Sequence, residues 1–99
     1  MIEIKPSDLQ YKYPKNHENR HLEKFNGLPD EEVFDRDDLY DVLPMFEHVM
    51  DALNVNQETI LHKMEEVLGE MPGFISSRGE VYTYLCEVMS DMLEIDYKK

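Results

Sequence analysis

Tryptophan is absent, cysteine occurs once and glycine four times. Bases are scarcer still where the chain is most acidic. Residues 30–96 carry 18 Asp and Glu against only Arg36, Lys63 and Arg78, a balance of −15. Each shortage excludes something. Nucleic acid and anionic membrane are excluded as partners, because phosphate recognition needs clusters of Lys and Arg. The lone thiol, Cys86, forbids an internal disulfide and fits a reducing compartment. No apolar run approaches the ~20 residues that a spanning helix needs. The start, Met1-Ile2-Glu3-Ile4-Lys5-Pro6, lacks the apolar core of a secretory signal, so a soluble, cytoplasmic protein is expected.

What is present divides unevenly. Residues 1–29 hold four acids and five bases, so a near-neutral leader (1–29) precedes an acidic module (30–99). The module contains periodic apolar runs that predict an all-α fold, a small bundle of three main helices with short helical turns and an irregular N-terminal leader. One helix lies within 37–54, with Leu39, Val42, Phe46, Val49, Met50 and Leu53 on a broad face. Pro44 is expected to bend or break it, because proline removes a backbone donor and clashes one turn back. A second helix is predicted over 57–68, capped by Asn54 or Asn56 and stopped by Gly69. The third is the clearest, over 78–94, where Ser77 and Glu80 have the spacing of a capping box.

The connecting segments are predicted from turn chemistry. Residues 29–34 are expected to form a short helical turn, with Pro29 at a tolerated early position. Phe74 and Ile75, in the turn before the third helix, are expected to plug the core. In the leader, Leu9, Tyr11 and Tyr13 alternate with polar residues, the pattern of a strand or extended arm. Three helices alone are small for independent stability, so the leader should pack on them. A homodimer is the other way to cover a wide apolar face.

Several side chains suggest chemistry. His17-Glu18-Asn19-Arg20-His21 matches H-E-x-x-H, which places two imidazoles one helical turn apart with a Glu beside them as general base. Glu47, Asp51, His48 or His62 could complete such a metal site. Its flanks are polar, however, where a zinc helix needs an apolar supporting shell. The acids at Asp35-Arg36-Asp37-Asp38 do not make a calcium loop, since Leu39 and Tyr40 stand where an acid and a glycine are required. No phosphate-binding glycine loop and no nucleophile elbow is present, and no cofactor is implied. Cys86 sits among apolar neighbours and reads as a buried hydrophobe.

The acidic stripes are the remaining signal. Glu87, Asp91 and Glu94 recur at i, i+4 and i+7 without an intervening base, a pattern that weakens the helix bearing it. Glu65, Glu66 and Glu70 do similar things on the second helix, and Asp37, Asp38 and Asp41 on the first. The expectation is therefore a non-catalytic interaction module that docks these acids on a basic partner protein. Two alternatives stand beside it: a zinc-dependent hydrolase or metal-binding protein built on His17 and His21, and a structural subunit burying its Met- and Leu-rich faces in an oligomer.

Overall fold

Several helix ends in the computed structural model, which describes residues 4–11, 13 and 31–94, have a local cause. The first, α1, spans Leu39–Leu53. Asp38 caps it, its carboxylate accepting from the Tyr40 amide at 3.1 Å, and so satisfies one of the donors that a helix start leaves unpaired. Pro44 lies inside this helix without dividing it, so one element forms rather than two. The lost backbone bond is outweighed by packing: Val42, Met45, Phe46, Val49 and Met50 are all buried. Asn54 closes α1 in the left-handed conformation at φ 56, its amide bonded to the Met50 and Asp51 carbonyls. Asn tolerates that region better than most residues. Asn54 thus ends the first helix instead of starting the second.

Helix α2 runs Glu58–Glu70, with Gln57 at its N-terminal cap. Gly69 does not stop it. The stop comes two residues later, where Pro72 pushes the preceding Met71 out of helical geometry to φ −63, ψ 134, as prolines do to the residue before them. Helix α3, Arg78–Leu93, opens on a full capping box. The Ser77 hydroxyl oxygen accepts from the Glu80 amide at 3.2 Å, and the Glu80 carboxylate accepts from the Ser77 amide at 3.3 Å.

The three helices pack against one another as an all-α bundle, with α1 and α3 making the most extensive contact. Their apolar faces meet in one core that includes Phe46, Met50, Met64, Leu68, Leu85 and Met89. Truncating such a side chain to Ala costs about 2–5 kcal/mol. Ile4 from the leader and Phe34 from the segment before α1 complete the core. Five of the six methionines after Met1, namely Met45, Met50, Met64, Met71 and Met89, are buried within the single chain, and Met92 is exposed. Those five therefore pack inside one chain, while Val33, Phe74 and Met92 remain exposed.

Two connecting segments differ from the sequence expectation. Residues 31–34 are not helical; an isolated antiparallel bridge joins Val33 to Ser77. The Phe34 amide donates to the Ser76 carbonyl at 2.7 Å, and the Arg78 amide to the Glu32 carbonyl at 2.8 Å. The approach to α3 offers unpaired backbone groups, and an extended neighbour satisfies them better than a helical turn would. Extended geometry also alternates side chains, which sends Phe34 inward and leaves Val33 at 74% exposure. The turn after α2 is the second difference. Phe74 is 81% exposed instead of plugging the core, and only Ile75 packs partly against it. No strand forms among the described residues.

Candidate functional site

Acids and bases in this bundle have two distinct fates, and sorting them defines the site. Arg78, at the start of α3, is buried and pairs with Asp41 of α1 at 2.7 Å. The second carboxylate oxygen of Asp41 accepts from the Asp35 amide at 3.1 Å. Asp41 is only 7% exposed, so it leaves the surface stripe in which the sequence spacing placed it. Burial of that acid follows from its helical position facing α3, where only a paired charge is tolerated.

Arg36 serves a second internal task. Its guanidinium donates to the carbonyls of Leu68 at 3.2 Å, Met71 at 2.9 Å and Pro72 at 3.4 Å. These are carbonyls at and beyond the end of α2, the negative end of the helix dipole. Helix α2 has no basic residue in its own last turn, so Arg36 supplies one from 32 residues away. Sequence reasoning missed this role. A lone cation ahead of an acidic helix with an uncompensated end was the available signal.

Glu65 of α2 also turns inward, as does the capping Asp38. It is 2% exposed, and the leader lies over it. One oxygen accepts from the Gln10 amide at 2.9 Å, and the other from the Tyr11 amide at 3.2 Å and the Tyr13 hydroxyl at 3.0 Å. Burial first, and then the charge of Glu65 and the bond to it, hold the Tyr13 phenol well above its ordinary value. Neighbouring contacts follow the same scheme. Glu47 of α1 accepts from the Ile4 amide at 2.9 Å. His62 of α2 lies 2.9 Å from the Asp8 carbonyl through Nε2 and 3.5 Å from Glu58, while its own carbonyl accepts from the Gln10 side chain at 3.0 Å. The described leader residues, a 3-10 turn at Pro6–Asp8 followed by bends at Gln10 and Tyr11 rather than a strand, are thus held by the carboxylates of Glu47 and Glu65, and Glu65 is not part of an open stripe.

The remaining acids of the expected contact, Glu66, Glu87, Asp91 and Glu94, face solvent. Glu66 is exposed and lies 3.9 Å from Lys63. Glu87 and Asp91 are exposed on the outer side of α3. Glu94 is exposed as well, but it is the left-handed cap at φ 55 and lies just past the helix. The α3 stripe is therefore two helical acids and a capping one. Asp91 and Glu94 stand at the negative end of a helix whose last turn has no base, which disfavours them electrostatically.

The H-E-x-x-H match, His17 to His21, lies outside the described residues. Of its candidate third ligands, Glu47 and His62 are engaged with the leader as described above. No group of three metal-ligating side chains occurs among the described residues. A shallow hollow of about 230 Å³ lies between the leader and the α1–α2 turn, lined by Ile4, Asp8, Met50 and Glu58 among others. It is smaller than the clefts that enclose a drug-sized ligand. Cys86 is fully buried, and burial pushes its thiol up to about 11, which makes it inert rather than nucleophilic at neutral pH.

Fold and surface together define a class, a small all-α bundle with an acidic exterior. No protein-family model, curated protein or solved structure matches the chain. No described helix is long and apolar enough to cross a membrane.

Proposed function

We propose that this protein is a non-catalytic interaction module that docks on a basic surface of a partner protein. Glu87, Asp91 and Glu94 form the centre of the contact, with Glu66 beside them. One observation carries this reading. Within 31–94, twelve acids are exposed, and Lys63 is the sole exposed Lys or Arg. The two other bases there, Arg36 and Arg78, are committed to helix carbonyls and to Asp41. An outward field of one sign results, and such a field steers a positively charged partner toward the surface.

The energetics of α3 support the same reading. Glu87 and Asp91 repel at i,i+4, and Asp91 opposes the helix dipole, so the stripe costs the bundle a few tenths of a kcal/mol. A basic partner removes that cost on binding. A partner carrying phosphate does not, which sets nucleic acid and anionic lipid aside. Cytoplasmic residence belongs to this reading, since the lone buried thiol of Cys86 is compatible with reducing conditions.

Comparative pull-down tests it. The wild-type chain and the triple reversal Glu87→Lys, Asp91→Lys, Glu94→Lys are each used as bait at low salt, with captured proteins identified by mass. The wild type is expected to hold a discrete basic protein that elutes as salt rises, and the triple variant is expected to lose it with its helicity intact. Equal capture by both baits would overturn the assignment.

A further inference from the structure

At the Val33–Ser77 bridge the two flanking bonds are made by the Glu32 carbonyl and the Phe34 amide. In an antiparallel pair of that register, the residue between the bonds turns its own N–H and C=O the other way. Val33 therefore points a backbone donor and acceptor outward, and neither meets a backbone partner among the described residues. Its side chain is 74% exposed, and Phe74, two residues before the Ser76 that bonds Phe34, is 81% exposed. Apolar side chains scattered singly need no explanation, but these two stand beside one open backbone edge. The charges around them have one sign. Glu31, Asp35 and Asp37 are exposed, as is Glu70 at the end of α2. The two bases nearby, Arg36 and Arg78, are committed to the α2 carbonyls and to Asp41.

We propose that the Val33 edge, with Phe74 beside it, is a docking site for an extended segment of a partner protein that carries Lys or Arg next to an apolar residue. The segment lies alongside residues 32–34 and exchanges two backbone bonds with Val33, the mode in which peptides extend a sheet edge. Its apolar side chain pairs across with Val33, and Phe74 adds aromatic contact area. Its bases meet the exposed acids. Charge decides among occupants. A second copy of this chain, whose net charge is −12, would set the same acids against Glu31 and Asp35, and like charges in contact oppose docking. The inference takes the sign of the partner's charge from the basic-partner reading. It adds a second contact, at the opposite end of α3 from Asp91 and Glu94.

The test uses the full chain with a labelled peptide of alternating Lys and Val as probe, beside the same peptide methylated on its backbone nitrogens. Fluorescence anisotropy gives the affinity, and amide NMR shifts locate the contact. Saturable binding that shifts the Val33 amide is expected, weakened about tenfold by Phe74→Ser or by N-methylation. Val33→Pro deletes the outward donor, leaves the Glu32 and Phe34 bonds in place, and should weaken binding about fivefold. Phe74 and Val33 are both exposed, so neither change opens the core. The triple reversal Glu87→Lys, Asp91→Lys, Glu94→Lys is expected to keep the Val33 shift. Binding that shifts only amides near Glu87 to Glu94 and ignores Phe74→Ser would overturn the edge while leaving the basic-partner reading standing. Absence of saturable binding would also overturn the edge, and the pull-down then judges the other reading alone. Self-association in sedimentation velocity that Phe74→Ser abolishes would make a second copy the occupant and overturn the proposed partner.

Discussion

Glu65 and Asp91 belong to stripes that look alike on paper, yet the two regions holding them work in opposite ways. The inner face of α2 uses its acid as an acceptor, with Glu65 2% exposed under the leader's amides. The outer face of α3 leaves Asp91 in solvent at the wrong end of the helix dipole. Asp41 sides with Glu65, since it too is buried and paired. The lesson is that a count of acids overstates the surface. Part of the charge is structural material, and only the remainder is open to a partner.

The contrast can be broken at its strongest point, the Asp41–Arg78 pair. Asp41→Ala removes the carboxylate that lies 2.7 Å from the buried Arg78 guanidinium and should cost about 3–5 kcal/mol, the usual penalty for breaking a buried ion pair. Urea unfolding followed by circular dichroism measures it. Adding Arg78→Met to an Asp41→Leu background should recover most of that loss. If the single substitution proves neutral, the pair is not an interior one and the division between inner and outer acids fails.

Alkaline pH sharpens the same comparison on the inner face. Burial chiefly pushes the Cys86 thiol from 9.0 to about 11; the Glu87 charge adds to the rise, and a hydrogen bond with Tyr82 works against it. The Tyr13 phenol is raised in the same sense. The folded chain therefore keeps protons that the unfolded chain releases. This stability is fully present below about pH 9 and is lost as pH climbs through about 11. The two-unit rise at Cys86 corresponds to about 2–3 kcal/mol. Melting temperatures across that range should fall for the wild type and fall less for Cys86→Ala. A flat profile would remove the argument.

The smallest effects test the sign of each region directly. Glu65→Ala should destabilise by about 2 kcal/mol, because it takes the acceptor from two amides and a hydroxyl. Asp91→Lys should instead stabilise by about 0.5 kcal/mol, by relieving the dipole and forming an i,i+4 pair with Glu87. Thermal melts of both variants beside the wild type read the difference. Two shifts of the same sign would erase the distinction between the faces.

How much of this was legible in the chain depends on the range of the interaction. The Ser77–Glu80 box could be read because its partners are three residues apart. The all-α class and its three helices followed from apolar spacing. Legibility failed wherever the partner was remote. Phe34 entered the core where the 31–34 segment paired with Ser76 and Arg78, and Phe74 stayed out, choices no local pattern records. Of the proposed contact residues, Glu66, Glu87, Asp91 and Glu94 are on the surface, whereas Glu65 and Asp41 are not.

Local sequence by itself determined helix identity, the start of α3, the acidity of the module and its shortage of bases. Those properties arise from periodicity, capping and composition, which act within a few residues. Only the tertiary structure decided which acids remain acidic surface. Asp41 met Arg78 across 37 residues, Arg36 reached the end of α2 across 32 or more, and Glu65 met the leader across more than 50. Burial in a low-dielectric interior forces charges and amides to find partners wherever packing brings them, and distance along the chain does not enter that requirement.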